Sequence, residues 1–196
     1  MRCLWVSLVA LLLGLGAASA ASLDNAIRSG NAEQVRQMLD HGAAIAAPDD
    51  AGDPPLIVAA LAGRADIVMM LLQHGAEIGV RNKHGLTALH AAAYGGNLEV
   101  VRLLVANGAA VNDRRNFYNM TPLHAAAEED RVDVVAFLLG KGADIEAKER
   151  NGYTPLSQAG WRGYWDAAGL LMKAGAVCQG PEIVGERLYK ECLKRQ

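Results

Sequence analysis

Five histidines, three cysteines and one short acidic run are the residues of this 196-residue chain that could do chemistry. Metal binding by histidine or cysteine needs ligands at close spacing, such as His-x3-His or Cys-x2-Cys. Neither pattern occurs, so we predict no dedicated metal site and expect no cofactor. The run Glu128-Glu129-Asp130 has no base or nucleophile beside it, and we interpret it as a solvated helix end, with contact to a basic partner as the alternative. Hydrolase, phosphate-loop and dinucleotide motifs are also missing from the sequence, which favours a protein that is not an enzyme and has no catalytic residues.

The first twenty residues have the pattern of an export signal. Arg2 supplies one positive charge, an apolar run extends from Leu4 to about Leu15, and Ala18-Ser19-Ala20 fits the small-x-small rule of signal peptidase. Cleavage is therefore predicted after Ala20. An uncleaved membrane anchor is the alternative, but the run is shorter than the roughly 20 apolar residues that cross a bilayer. We expect a periplasmic or secreted protein that has no membrane association after cleavage.

Removal of residues 1–20 leaves two cysteines and a slightly acidic chain. Arg2 is the one charged residue lost, so Lys+Arg falls from 19 to 18 against 21 Asp+Glu, and the formal net charge changes from −2 to −3. Such a chain has no basic excess to neutralise phosphates, and nucleic acid is not expected as a partner. Cys178 and Cys192 form an even pair, which in an oxidising compartment predicts a disulfide.

Two sequence markers recur along the chain with the same period. The dipeptide Gly-Ala begins at residues 42, 75, 108, 142 and 175, and leucine occurs at 23, 56, 89, 123 and 156. Both markers are thus spaced by 33, 33, 34 and 33 residues. A period of this length, held in phase by two markers, indicates a solenoid of repeated structural units.

Each period is predicted to contain two helices. The segment Thr121-Pro122-Leu123-His124 is typical of a helix start, because proline suits the first turn, where its missing N–H needs no partner. A second helix follows, with an apolar stripe such as Val134, Val135 and Leu138. The glycine of Gly-Ala ends this helix by adopting the left-handed conformation without a Cβ clash. A segment rich in turn residues then leads to the next start.

These features resemble the ankyrin repeat. The family's Thr-Pro-Leu-His signature is complete at Thr121–His124, has one change at 87–90 and at 154–157, and keeps only proline and leucine at 54–57. The resemblance implies an all-α solenoid of stacked antiparallel helix pairs with hairpin fingers at one edge. It divides the ankyrin domain, residues 21–178, into an N-terminal cap at 22–46 and four repeats at 47–79, 80–112, 113–146 and 147–178.

The resemblance also implies roles for the histidines and a binding surface. His90 and His124, in the signature, are expected to hydrogen-bond backbone and threonine groups between repeats. His84, at a finger tip, is the one histidine that is expected to contact a partner. Ankyrin proteins typically bind through the finger tips and the exposed end of each first helix, which together form a concave face.

The residues of this chain at those positions form the predicted partner-binding set. Five of the nine aromatic residues after residue 20 lie there, and exposed aromatic and arginine side chains are typical interface anchors. The alternative is that the finger aromatics pack on one another, as Phe117 could do beside a one-residue insertion and Asn119, which replaces the usual turn glycine. The set comprises Lys83, His84, Tyr94, Phe117, Tyr118, Met120, Glu128, Arg150, Tyr153, Trp161 and Arg162.

Residues 179–196 leave the repeat pattern and predict a C-terminal capping helix. Val184, Leu188 and Cys192 are spaced at i, i+4 and i+8, which places them on one apolar edge. We expect this helix to cover the last repeat where Ala167-Ala168-Gly169 leaves room, and to be held by a Cys178–Cys192 disulfide. A redox-active pair of cysteines is the alternative.

The sequence therefore predicts a monomeric protein-interaction module that acts on a periplasmic or secreted protein through its concave face. A chaperone, an inhibitor of the immunity type and an assembly factor all fit this prediction. The alternative function is a redox or cofactor-linked helper that uses Cys178 and Cys192, or the exposed aromatic residues, to hold an oxidisable ligand.

Overall fold

The computed structural model describes residues 23–195, in which eleven helices and no β-strand are present. Five helix pairs are followed by one single helix, so the predicted all-α fold is confirmed. The predicted signal peptide at 1–20 lies outside the described residues. In chain order the helices are α1 (residues 23–29), α2 (Ala32–Asp40), α3 (Pro55–Leu61), α4 (Ala65–Gln73), α5 (Ala88–Gly95), α6 (Leu98–Ala106), α7 (Pro122–Glu128), α8 (Val132–Gly140), α9 (Pro155–Arg162), α10 (Trp165–Lys173) and α11 (Pro181–Leu193).

The helices stack in two layers. The first helices α3, α5, α7 and α9 contact one another in turn, as do the second helices α2, α4, α6, α8 and α10. Each first helix buries the marker leucine and an alanine three residues later, whose small side chain lets the neighbouring helix approach closely. The buried alanines of this column are Ala26, Ala59, Ala92, Ala126 and Ala159.

The Thr-x-Leu-His signature both starts a first helix and joins it to the next repeat. In α7 the Thr121 hydroxyl donates to Nδ1 of His124 at 2.9 Å, and the Thr121 backbone N–H donates to the same nitrogen at 3.2 Å. The opposite ring nitrogen, Nε2, donates to the Tyr153 carbonyl of the following repeat at 3.1 Å. His90 makes the equivalent bond to the Met120 carbonyl at 3.0 Å. The predicted structural role of both histidines is confirmed by this geometry.

Side chains that precede the second helices bond back to the preceding repeat. They donate to carbonyl groups at the ends of earlier helices, which have no partner within their own helix. Because these positions are spaced by one repeat period, the same connection recurs at three interfaces. The bonds run from Arg64 to the Gly30 carbonyl at 2.9 Å, from Asn97 to the Ala60 and Leu61 carbonyls at 2.9 Å each, and from Arg131 to the Tyr94 carbonyl at 3.0 Å.

Asp130 has an unusual backbone conformation. Its φ is 54°, in the left-handed region, at the repeat position where residues 63, 96 and 163 are glycines. Aspartate is among the few side chains that tolerate this region. Its carboxylate accepts the N–H of Ala167 at 2.8 Å and so caps α10 of the next repeat. The acidic run at 128–130 is thus a helix end, as predicted, but it is engaged by the neighbouring repeat rather than simply solvated.

The C-terminal helix caps the last repeat, although at a different place from the one predicted. Leu188 packs over Gly160 of α9, where an added Cβ would lie 2.7 Å from the leucine side chain. An added Cβ at Gly169 would meet no atom within 4 Å, so the room for α11 is made by Gly160 and not by Gly169. The helix is also interrupted at Gly185, whose φ of 78° is left-handed, whereas a continuous helix was predicted.

The predicted disulfide between Cys178 and Cys192 is present and ties α11 to the last finger. Beside it, Gln179 completes the hydrogen bonding of the last repeat, where Ser157 occupies the signature histidine position. The Gln179 side-chain oxygen accepts from the Ser157 hydroxyl and from the Thr154 N–H, the latter at 3.0 Å. Its amide nitrogen donates to the Gly152 carbonyl at 2.8 Å. Within residues 23–195, no helix is both long enough and apolar enough to cross a membrane.

Candidate functional site

A groove of about 810 Å³ extends across the four full repeats, between the finger turns and the first helices. On α5, α7 and α9 its floor consists of residues two and five positions after the marker leucine. Residues three apart on a helix lie on the same face. The floor residues are Ala91 and Tyr94, Ala125 and Glu128, and Gln158 and Trp161, with Ile57 and Leu61 of α3 at the end of the first repeat.

The wall of the groove is formed by four finger turns that are closed in the same way. In the second finger, the Asn82 side-chain oxygen accepts the N–H groups of His84 and Leu86, both at 3.0 Å. Asp49, Asn116 and Glu149 accept the corresponding bonds in the other fingers. These bonds hold the fifth residue of each turn, and it is this residue that lines the groove: Asp53, Leu86, Met120 and Tyr153.

The finger turns are also joined to one another. The Asn82 amide donates to the Asp53 carboxylate at 2.8 Å. The backbone N–H of Phe117 donates to the His84 carbonyl at 2.9 Å, and that of Arg150 donates to the Tyr118 carbonyl at 2.8 Å. Because each finger is bonded to the next, the wall is held in one arrangement before any partner arrives.

Four aromatic rings line the groove. The side chains of Tyr94, Tyr118 and Trp161 are exposed, at 43%, 38% and 57% of their maximal area, and Tyr153 is half-buried against Trp161 at a ring distance of 6.2 Å. Rings exposed to this extent in the unbound protein contribute little to its core. They are instead available to a ligand.

Phe117 lies outside the groove, at the tip of the third finger. It is 63% exposed, meets Tyr118 edge to face at 5.3 Å and is covered by the Arg150 guanidinium at 4.5 Å. The finger aromatics therefore do contact one another, which was the alternative to an interface, and yet they remain open to solvent. Asn119 closes this turn at a left-handed φ of 56°, in place of the glycine of the other fingers.

Carboxylates are the charged groups of the groove lining. They belong to Asp53, Glu128 and Glu149, and no lysine or arginine among residues 23–195 lines the groove. Glu128 is paired with Arg162 at 2.7 Å, and the same guanidinium lies 3.7 Å from Glu129. The negative charge of Glu129 and partial burial raise the pKa of the Tyr94 phenol, which further favours its neutral form.

A family model of ankyrin repeats, in three copies, matches residues 7–82 and 74–149, which together are more than half of the chain. The chain belongs to the ankyrin-repeat family. None of the curated proteins compared with it is a match. The family match ends at residue 149, and the structure extends the ankyrin pattern through α9 and α10, which repeat the helix pairing and capping of the earlier units.

The ankyrin geometry divides the predicted partner-binding set into two groups. Six of its members line the groove: Tyr94, Tyr118, Met120, Glu128, Tyr153 and Trp161. The other five are exposed on the finger tips or the rim and do not line it: Lys83, His84, Phe117, Arg150 and Arg162.

Among the groove residues outside the predicted set, Leu61, Leu86 and Asp53 occupy finger or first-helix positions of the first two repeats. Leu61 shares its repeat position with Tyr94 and Trp161, and Asp53 and Leu86 share theirs with Tyr153. The repeat period is thus the signal that finds them. Trp165, which aligns with the apolar Leu98 and Val132, is partly buried at the edge of the core, beneath the Arg195 guanidinium.

The buried histidines serve the repeat interfaces. Burial lowers the pKa of His90, and it lowers the pKa of His124 to about 4, so both rings are neutral near pH 7. Among the residues from 23 to 195, no three histidine, cysteine, aspartate or glutamate side chains are grouped so as to hold a metal ion.

Proposed function

We propose that this ankyrin-repeat protein binds another protein through its groove and finger rim, outside the cytoplasm. The ankyrin fold itself points to a protein-protein interaction module. The observation that carries the proposal is the row of four rings along the groove, of which Tyr118 and Tyr153 are on the bonded finger turns and Tyr94 and Trp161 are on the first helices. Rigid aromatic side chains in a preformed site are what interface hot spots consist of, since they lose little conformational freedom on binding.

A location in the periplasm or in the extracellular space is supported by two features. The first twenty residues have the pattern of a cleavable export signal, with predicted cleavage after Ala20. The Cys178–Cys192 disulfide joins the cap to the last finger, and structural disulfides persist in oxidising compartments. Neither cysteine lines the groove, which favours a binding role for the groove over a redox role. Within this proposal the protein is a monomer that acts as a chaperone, an inhibitor or an assembly factor.

Site-specific photo-crosslinking tests the proposal. A photoreactive phenylalanine analogue replaces Trp161 in one variant and Val177 in the other; the two side chains are similarly exposed, at 57% and 61%, but only Trp161 lines the groove. We expect the Trp161 position to crosslink a discrete protein from the native compartment and the Val177 position not to do so. Crosslinking of the same protein from Val177 alone would place its binding site elsewhere.

A further inference from the structure

The carboxylates of the groove are not all neutralised by the protein itself. Glu128 is paired with Arg162, but no lysine, arginine or histidine of the described chain lies within ion-pair distance of Asp53 or Glu149. Asp53 accepts from the neutral Asn82 amide at 2.8 Å, and Glu149 accepts the N–H groups of Asn151 and Tyr153 at 2.7 and 3.2 Å. Neutral donors leave the negative charge in place, so the groove attracts cations.

The aromatic rings inside and outside the groove differ in whether cations of the protein itself cover them. Three rings outside the groove are each covered by cations of the protein, at 4.4 to 5.6 Å: Phe117 by Arg150, Phe137 by Arg102 and Lys141, and Trp165 by Arg195. No lysine or arginine within the described residues covers a ring of the groove. The electron-rich faces of those four rings, which attract cations, therefore carry no lysine or arginine of the described chain.

We propose that the groove receives a lysine or arginine side chain of the partner polypeptide, an inference that rests on the proposed function. The methylene stem of such a side chain packs on the groove lining, which includes the rings, Leu86 and Met120, while its charged end lies near one of the two carboxylates, Asp53 at the first finger or Glu149 at the fourth. The side-chain amide of Gln158, on the groove floor, makes no hydrogen bond within residues 23–195. Its amide oxygen is an available acceptor for an N–H of the partner.

Other kinds of segment fit this groove less well. An acidic side chain would meet the uncompensated charges of Asp53 and Glu149. A purely apolar segment would remove water from the same carboxylates and provide no cation in return, which is unfavourable for a buried charge. A cationic side chain flanked by apolar residues satisfies both the rings and the carboxylates.

Peptide titrations followed by NMR test this assignment. The probes are blocked pentapeptides Ala-Leu-Xaa-Leu-Ala in which Xaa is arginine, norleucine or glutamate. We expect the arginine peptide to shift the Trp161 indole N–H resonance and to bind about fivefold more tightly than the norleucine peptide at low salt, the glutamate peptide being weakest. This preference should shrink as salt is added, because the carboxylates are partly screened.

A pair of variants identifies the groups that produce the preference. Asp53→Asn with Glu149→Gln keeps side-chain oxygens that can accept the turn bonds but removes both charges. We expect this variant to bind the arginine and norleucine peptides about equally. The matched control is Phe137→Leu on α8, which removes a cation-covered ring outside both the groove and the finger rim and should leave the preference unchanged.

The outcomes separate this inference from the proposed function. Equal binding of the arginine and norleucine peptides to the unmodified protein, or an unchanged preference in the neutralised variant, overturns the cation assignment while the groove still binds polypeptide. Shifts of the Trp161 resonance that depend on protein concentration without peptide would assign the groove to a second copy, and also overturn it. Absence of any peptide-induced shift, together with crosslinking from Val177 alone, would instead refute the proposed function.

Discussion

Acidification is expected to destabilise the repeat stack through His124. The ring is fully buried, Nδ1 accepts from Thr121, and Nε2 donates to the Tyr153 carbonyl, so a second ring proton would disrupt the helix start. Burial lowers the pKa of His124 from 6.5 to about 4. The folded protein thus holds the neutral ring, whereas the unfolded chain takes up a proton as the pH falls below 6.5. Stability from this group is complete above pH 6.5 and decreases towards pH 4.

The size of this effect follows from the difference between the two pKa values. One pKa unit corresponds to about 1.4 kcal/mol, so lowering the pH from 7.5 to 4 should reduce the free energy of unfolding by about 3 kcal/mol through His124. Urea titrations of the native protein and of His124→Gln over this range measure the effect. Carboxylates such as Asp113 contribute equally to both proteins, so the difference between the two curves isolates the histidine.

Two results would refute this reasoning. One is an identical pH dependence for the native protein and for His124→Gln. The other uses the native protein alone and does not depend on the variant folding. If the His124 ring resonances titrate in the folded protein with a pKa near 6.5, burial does not hold the ring neutral and the argument fails.

Three further predictions concern contacts between neighbouring repeats and between the last repeat and α11. Asp113→Ala removes the partner of the Arg81 guanidinium, now at 2.5 Å, and should lower the free energy of unfolding by about 3 kcal/mol in urea titrations; an unchanged free energy would contradict this pairing. Cys192→Ser should lower the free energy of unfolding by roughly 3 kcal/mol, because the unfolded chain is no longer closed into a loop by the disulfide. The far-UV circular dichroism should stay helical. Two free thiols in protein from an oxidising compartment would contradict the Cys178–Cys192 disulfide. Gly160→Val should lower the free energy of unfolding by about 2 kcal/mol, because the added side chain displaces Leu188 of α11. Gly169→Val should not lower the free energy of unfolding. Equal effects of the two substitutions would contradict the packing of α11 over Gly160.

The helix pairs follow from the sequence because one period carries both their buried faces and their ends. The marker leucines are buried in every repeat, and His90 and His124 make the bonds between repeats that the signature implies. A side chain that repeats in register meets the same neighbours each time. Its role can therefore be predicted from one copy and carried to the others.

Features that depart from the period could not be predicted in this way. Gln179 follows the last signature and has no counterpart, so only its position in space shows that it replaces the missing next repeat. The interruption of α11 at Gly185 and its packing over Gly160 depend on how the chain turns back after the last finger. Asp130 has a left-handed backbone conformation and caps a helix of the next repeat. Its position in an acidic run indicated only a helix end and not this contact.

The same limit applies to the groove. The period identifies which positions face it, but the pairing of Arg162 with Glu128 and of Arg150 with Phe117 depends on side-chain conformation. Those pairings decide which charges and rings stay available to a partner. Exposed aromatic residues could thus be assigned to the surface from the sequence, whereas their division between the groove and the rim required the structure.

The affinity of the crosslinked partner for groove variants tests the central claim most directly. Isothermal titration calorimetry would compare the native protein with Trp161→Ala and with Asp50→Ala, an exposed residue of the first finger that does not line the groove. We expect Trp161→Ala to weaken binding by about 2 kcal/mol, roughly thirtyfold in Kd, without a change in melting temperature, and Asp50→Ala to leave both unchanged. Unaltered affinity in Trp161→Ala, with the fold intact, would contradict the assignment of the groove as the binding site.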